Sequence, residues 1–257
     1  MPRSIVSRVA VSRAAAVAVA AAVLGVSSCG GDEPPRLSLP NLLMTADQFP
    51  GGFSAVTMDV DQLIVANRAT IEQAATVGFE PESCAPTADA KFNPQLSEDN
   101  SALLAGESND GTFSELISTV RRDIDADRRA TTGPCRVVTA TPSRGTLAGA
   151  KIVTTSVELP SVVDAAVEQS FLVRSDSVTT LPGGAVRARS GLVANLLVRT
   201  VGGDTVTLQL GLSSGSDEVT EEQRAAVAPG APLVPAPVSD DEFVQLVRTA
   251  VERATQG

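Results

Sequence analysis

The stretch GLSSG at residues 211–215 matches the G-x-S-x-G pattern of hydrolase nucleophiles, with Ser213 in the reactive position. A serine nucleophile needs a base to accept its proton, normally a histidine, and the chain contains no histidine. We therefore interpret Ser213 as a turn residue at the end of a strand. The stretch GTLAGAK at residues 145–151 is similar to a phosphate-binding loop, but its glycines lie too close together and Ile152 follows Lys151. This stretch predicts a polar loop that enters a strand.

Three aspartates, Asp123, Asp125 and Asp127, have the spacing of the first calcium ligands in an EF-hand loop. Arg128 stands where that loop needs glycine, and Pro134 stands where it needs a bidentate glutamate. The aspartates therefore predict a solvated, charged helix face. We expect no metal, no cofactor and no catalytic residue. A carboxylate pair for acid–base chemistry stays open, because the sequence does not show which acidic residues share a cleft.

Cys29 lies directly after the small residues Ser27 and Ser28, at the end of an apolar run. Residues 1–13 carry three arginines and no acidic residue, and the uncharged run 14–26 is too short to span a bilayer. This arrangement resembles a bacterial lipoprotein signal, which is cut before the cysteine. We expect residues 1–28 to be the signal peptide and Cys29 to carry the lipid, including palmitate-type acyl chains. The alternative is an ordinary secreted protein.

Cys84 and Cys135 remain as an even pair in an exported chain, which favours a disulfide bond. Closing a loop of about 50 residues stabilises a fold by about 4 kcal/mol in the chain-entropy estimate. Two free thiols or half of a metal site are the alternative, although no histidine is present to complete a ligand set.

The charge of the chain indicates its partners. Its formal net charge is −10, and removal of residues 1–28 changes it to −13, because three arginines are lost. Such a surface repels nucleic acid and anionic lipid headgroups. Membrane attachment must then come from the acyl anchor, and we expect no nucleic-acid partner. Trp and Tyr are absent, so stacking platforms for sugars or bases are scarce.

The first half of the chain predicts a tether followed by helices. Residues 29–40 are rich in Gly and Pro and predict an extended tether, and residues 41–257 predict a single α+β sensor-like domain. Apolar residues recur at helical spacing from Val60, and residues 77–86 predict a loop that carries Cys84. Thr112 and Glu115 form a capping box that predicts an amphipathic helix, which Gly133 and Pro134 end. Its apolar face comprises Phe113, Leu116, Ile117, Val120 and Ile124.

The second half predicts strands and a closing helix. Strands are expected in RVVTAT, KIVTTSVEL and EQSFLVRSDSV, and LVANLLVRTVGGDTVTLQLGL predicts a hairpin. A three-residue turn at residues 202–204 would pair Val198 with Leu208, whereas a two-residue turn at Gly202-Gly203 would pair Arg199 with Val206; we favour the former. A second capping box, Ser239 with Glu242, opens the last helix. The predicted class is α+β, with a central, mostly antiparallel sheet packed by N-terminal and C-terminal helices.

The order of these pieces resembles a known group of proteins. LLMTADQFPGGF, the cysteine loop GFEPESCAP, a helix running into GPCRVVTAT, the hairpin LLVRTVGGDTVTLQL and the helix DDEFVQLVRTAVERAT occur in sequence. The chain is similar in this pattern to actinobacterial, mycobacterial-type exported lipoproteins that resemble the extracellular sensor domain of the Ser/Thr protein kinase PknH. The resemblance implies helices against an antiparallel sheet and a cleft for an unidentified small ligand. It identifies no ligand-contacting residue.

These observations predict a lipid-anchored, extracytoplasmic domain that binds a ligand or acts as a sensor, without catalytic activity. The expected location is the outer face of the cell membrane, and the expected partners are that membrane and an unknown small ligand or envelope component. A carrier of lipids or lipoglycans is the alternative, and a hydrolase is disfavoured by the lack of histidine.

Overall fold

The computed structural model describes residues 37–228 and 231–256. The predicted signal peptide and Cys29 lie outside the described residues, so their processing and lipidation stay predictions. The end of the predicted tether already belongs to the folded part. Leu39 is the first residue of a 3-10 helix, Leu39–Leu42, and only 6% of the surface of Leu39 is exposed.

A single antiparallel sheet dominates the described part of the chain. Its strands, in chain order, are β1 (Ser54–Val56), β2 (Val77–Glu80), β3 (Ser101–Glu107), β4 (Gly111–Ser118), β5 (Val137–Pro142), β6 (Lys151–Glu158), β7 (Val167–Thr180), β8 (Val186–Arg199), β9 (Thr205–Ser214) and β10 (Asp217–Glu218). Their spatial order is β1-β3-β4-β9-β8-β7-β6-β5-β2, and β10 pairs with β8. The α-helices are α1 (Val60–Ala74), α2 (Ala88–Phe92), α3 (Ile124–Thr131), α4 (Glu221–Ala226) and α5 (Asp240–Gln256). The predicted sheet-rich α+β class is confirmed.

One buried apolar cluster contains side chains of α5 and of the central strands. Phe243, Val247 and Val251 of α5 belong to it together with Leu196 of β8 and Leu208 of β9. The predicted capping box that opens α5 is present, since the Glu242 N–H donates to Ser239 Oγ and the Ser239 N–H donates to the Glu242 carboxylate. No helix among the described residues is both long and apolar enough to cross a membrane.

The predicted amphipathic helix after Gly111 is wrong over its first half. Residues 111–118 form β4, which pairs with both β3 and β9, and only residues 124–131 are helical. Phe113 and Ile117 point to the α5 side of the sheet and Leu116 points to the other, so both faces are buried in the second half of this strand, whereas Thr112 and Ser114 in its first half are exposed. A strand covered on both faces loses the simple alternation of polar and apolar residues, and its pattern then imitates helical spacing.

The β8–β9 hairpin has a three-residue turn, as favoured, but one residue earlier than predicted. Thr200 and Asp204 close the loop through a hydrogen bond of 2.8 Å, and Gly203 has a φ of +89°. Val198 therefore pairs with Val206 rather than with Leu208. The pairing differs from the predicted one by two residues, which leaves every side chain on its predicted face.

The predicted disulfide bond joins Cys84 to Cys135, with a Cα–Cα distance of 5.4 Å across 51 residues of sequence. Cys84 ends a 3-10 helix, Glu82–Cys84, and Cys135 lies in another, Gly133–Arg136, just before β5. The segment before Cys84 is not only a loop as predicted, because Val77–Glu80 forms the edge strand β2.

Candidate ligand-binding site

The side of the sheet opposite the α5 cluster carries an open groove. Side chains alternate along β8: Leu192, Ala194 and Leu196 belong to the α5 cluster, whereas Gly191 and Val193 line the groove. The cavity has a volume of about 580 Å³, which lies in the usual range for small-molecule sites. It extends over strands β4, β9, β8, β7 and β6 and is bounded by the loop before β6.

Half of the residues that line this cavity carry a hydroxyl group. We call this cavity the hydroxyl groove. Its eight hydroxyl residues are Thr112, Ser114, Thr146, Ser175, Ser177, Thr179, Ser213 and Ser216. Hydroxyl pairs also cross from β6 to β7 beside it, with Thr154 Oγ1 2.8 Å from Ser177 Oγ and Ser156 Oγ 3.4 Å from Ser175 Oγ. Each hydroxyl can both donate and accept, so the surface can bind a ligand that carries many hydroxyl groups.

Two glycines keep the floor of the groove open. A Cβ atom at Gly191 would lie 3.4 Å from the carbonyl oxygen of Leu212, an ordinary contact, and a larger side chain would extend into the cavity. A Cβ atom at Gly211 would lie 3.1 Å from Ser114 Oγ, which is tighter. Gly191 is therefore the position at which the groove can be filled with least disturbance of the strands.

Two arginines are the charged residues of the groove lining. Arg187 and Arg189 lie two positions apart on β8 and hence on the same face. Arg189 donates from Nη2 to Ser213 Oγ at 2.9 Å. Glu218 of β10 is the register partner of Arg187. Within the described ranges, no carboxylate lies within 4.0 Å of either guanidinium.

The groove continues into two neighbouring cavities at Val193, a valine with 37% of its surface exposed. A cavity of about 370 Å³ shares Val193, Ser114 and Gly211 with the groove and adds an apolar wall that includes Met58 and Leu63. A cavity of about 170 Å³ shares Val193 and Ser175. On one face of the sheet, the cationic, hydroxyl-rich groove thus adjoins a cavity with an apolar wall.

A buried ion pair supports the wall of the smaller cavity. Arg122, whose side chain is 4% exposed, contacts Asp127 through two hydrogen bonds of 2.7 Å and Asp89 through a third. Asn195 also donates to Asp127, and Gln209 donates to Asn195. Burial disfavours the charged guanidinium, but the two carboxylates outweigh it and raise the pKa of Arg122 above its ordinary value.

Of the three aspartates in the calcium-like pattern, Asp123 and Asp125 are exposed as predicted, whereas Asp127 is buried. Asp127 is buried against Arg122, and Asp123 accepts the Ala126 N–H at 2.9 Å as the N-cap of α3. Asp125 is exposed and lies 3.7 Å from Arg128. In the described part of the chain, no group of three or more His, Cys, Asp or Glu could hold a metal ion.

The two motifs that the sequence singled out both contribute to the groove. Ser213 is not a turn residue as predicted: it lies within β9 and accepts a hydrogen bond from Arg189. The stretch GTLAGAK is the predicted loop that enters a strand, β6, and its Thr146 and Leu147 line one edge of the cavity. Sequence reasoning missed Arg187 and Arg189, although the alternation VRAR within a strand could have placed both on one face.

Glu115 is a buried carboxyl group on the α5 side of the sheet, away from the groove. It is fully buried, accepts the Met44 N–H at 2.9 Å through Oε2, and leaves Oε1 without a partner. Burial raises the pKa of Glu115 to about 8, although the Met44 N–H and Arg253 act in the opposite direction. Its contact fixes the N-terminal segment against β4, which is a structural role.

No known protein-family model and no curated protein matches the chain. The solved structure of an uncharacterised protein from Mycobacterium smegmatis is similar to it, with 17% sequence identity and a TM-score of 0.38. The similarity covers 84% of this chain and 99% of that one.

Proposed function

We propose that the chain is a lipid-anchored domain on the outer face of the cell membrane that binds a small polar ligand in the hydroxyl groove without transforming it. The groove itself is the observation that carries this proposal. Its volume of about 580 Å³, its open floor at Gly191 and its hydroxyl lining suit reversible binding through hydrogen bonds.

The hydroxyl and guanidinium groups of the lining favour this function over a carrier of lipids or lipoglycans. A lipid carrier needs a long apolar cavity for acyl chains, whereas eight of the sixteen residues around the groove carry a hydroxyl and two carry a guanidinium. The adjoining apolar wall with Met58 and Leu63 is the feature that favours the carrier as a second candidate.

The resemblance to PknH-type sensor domains agrees with a binding role. It would place the N-terminal and C-terminal helices against the central sheet, with a ligand cleft between elements. One of its pieces is altered, because the helix that runs into GPCRVVTAT is limited to Ile124–Thr131.

Filling the groove tests the binding role. In Gly191→Val, the added side chain projects into the cavity from an ordinary strand position, so we expect stability to be unchanged or slightly higher. A thermal-shift screen with cell-envelope metabolites should find a ligand that stabilises the wild type but not this variant. Gly78→Val is the matched control, because Gly78 lies on the edge strand β2 with its nearest atom 4.0 Å away. A screen in which no compound stabilises the wild type would count against the proposal.

Replacing one thiol tests the anchor. We expect Cys29→Ala to keep its signal segment and to run as a larger, non-acylated protein, because cleavage before the cysteine follows acylation. Globomycin, which blocks that cleavage, should cause the same gain in size in the wild type. Unchanged size and membrane partitioning in both experiments would show that Cys29 is not the site of attachment.

A further inference from the structure

We propose that the ligand of the hydroxyl groove is an anionic polyol, in which a phosphate or carboxylate group binds Arg187 and Arg189 and the hydroxyl groups bind the Ser and Thr lining. This inference rests on the proposed function of the groove and names the chemical class of its ligand.

The charge distribution is the first argument. The chain has a formal charge of −10, yet the charged side chains of the groove lining are two arginines. Like charges two positions apart on one strand face lie about 7 Å from each other and repel. Among the described residues, no carboxylate lies within 4.0 Å of these guanidinium groups to neutralise their charge, although Glu218 of β10 is paired with Arg187 in the sheet. A bound anion would relieve this repulsion.

The orientation of the arginines is the second argument. Ser213 accepts one hydrogen bond from Arg189, which fixes that guanidinium over β9 and leaves its other N–H groups free to bind a ligand. The Arg187 side chain makes no hydrogen bond or ion pair with any described residue. The planar fork of a guanidinium matches phosphate and carboxylate oxygens through two parallel hydrogen bonds.

The hydroxyl lining is the third argument. The groove crosses five strands, a distance of about 19 Å at the usual strand spacing, with hydroxyl groups on β4, β9 and β7 around the two arginines. No aromatic residue is among its lining residues, so a sugar-like ring would be held by hydrogen bonds rather than by stacking. An anion with several hydroxyl groups uses both parts of this surface.

Calorimetry on the full-length, acylated protein in phosphatidylcholine nanodiscs tests the inference. Glucose 6-phosphate, glucose and inorganic phosphate are titrated separately at about 0.15 M salt. We expect glucose 6-phosphate to bind at least about tenfold more tightly than glucose, and tighter than phosphate alone. The double variant Arg187→Gln/Arg189→Gln should lose about tenfold or more in affinity for glucose 6-phosphate. The control variant Arg224→Gln/Arg248→Gln, which removes the same charge from α4 and α5, should keep the wild-type affinity for glucose 6-phosphate.

Phosphatidylglycerol nanodiscs distinguish two sources of the same chemistry. If the natural ligand is a lipid headgroup, phosphatidylglycerol should compete with glucose 6-phosphate and weaken its binding to the wild type. Unchanged binding assigns the ligand to a soluble metabolite. Both results agree with an anionic polyol.

Three results would overturn the inference. They are equal binding of glucose and glucose 6-phosphate, full affinity in the Arg187→Gln/Arg189→Gln variant, and no binding of any probe at about 10 mM. If a neutral compound is still blocked by Gly191→Val, the proposed binding function survives while the anionic class fails. If no compound binds the groove at all, both fail.

Discussion

Arg122→Met is expected to lower the free energy of unfolding by about 3–5 kcal/mol, because it leaves the Asp127 carboxylate buried without its partner. Arg122 donates two hydrogen bonds to Asp127 and one to Asp89, and its guanidinium lies 5.2 Å from the centre of the Phe92 ring. Methionine can occupy the space of the aliphatic stem, so the loss measures the charge and its hydrogen bonds rather than a large cavity.

Urea denaturation of wild type and variant at neutral pH measures this effect. Arg121→Met is the matched control: the neighbouring arginine is 60% exposed and pairs with Glu168 at 3.3 Å, a surface pair worth no more than about 1 kcal/mol. The double variant Arg122→Met/Asp127→Leu should regain most of the loss, because it removes the unpaired charge as well. Equal stability of wild type and Arg122→Met would show that the buried pair does not stabilise the fold.

Glu115→Gln is expected to remove a fall in stability that the wild type shows as the pH rises. The folded state holds the Glu115 proton up to a pKa of about 8, whereas the ordinary value of 4.5 applies to the unfolded chain. Between about pH 4.5 and pH 8, the folded state therefore binds more protons than the unfolded chain. Its stabilising contribution is complete below about pH 4.5 and is lost progressively as the pH rises towards 8. The difference corresponds to at most about 5 kcal/mol.

Denaturation of both proteins at pH 5 and pH 8 separates this effect from other titrations, since all other groups are shared. At pH 8 the variant should be more stable than the wild type, and the gain should be smaller than the upper limit because the new amide lacks partners. Glu107→Gln, at an exposed position on the adjacent strand β3, is the control and should keep the wild-type slope. The stability of the wild type could instead rise between pH 5 and pH 8 by as much as the stability of Glu115→Gln. That result would contradict a buried, neutral Glu115.

Local patterns predicted those elements whose two faces differ. The closing helix has a capping box and a single apolar stripe, and the β8–β9 hairpin has glycines that require a turn, so both are present near their predicted positions. The Cys84–Cys135 bond followed from parity in an exported chain. The helix predicted over residues 111–118 is wrong, because β4 is an interior strand between β3 and β9 and its second half is buried on both faces.

The candidate site could be predicted only in part. The loop GTLAGAK and Ser213 stand out as motifs in the sequence, but the groove forms only where the consecutive strands β6 to β9 pair in order and the remote strand β4 joins β9. The sequence predicts a solvated Asp127 because this residue lies outside the apolar face of the predicted helix, whereas the fold brings Arg122 and Asn195 against its carboxylate. The location of a charged residue in or out of the core depends on such contacts, which composition and spacing do not encode.

The most direct test of the binding site is a nuclear magnetic resonance titration of the isotope-labelled protein with a small-molecule extract of the cell envelope. The account predicts shifts of backbone amide signals along the groove, at Ser177, Arg187, Gly191 and Ser213, and predicts that Gly191→Val abolishes them. Shifts confined to the α5 side of the sheet, or an unchanged spectrum at every extract concentration, would contradict it.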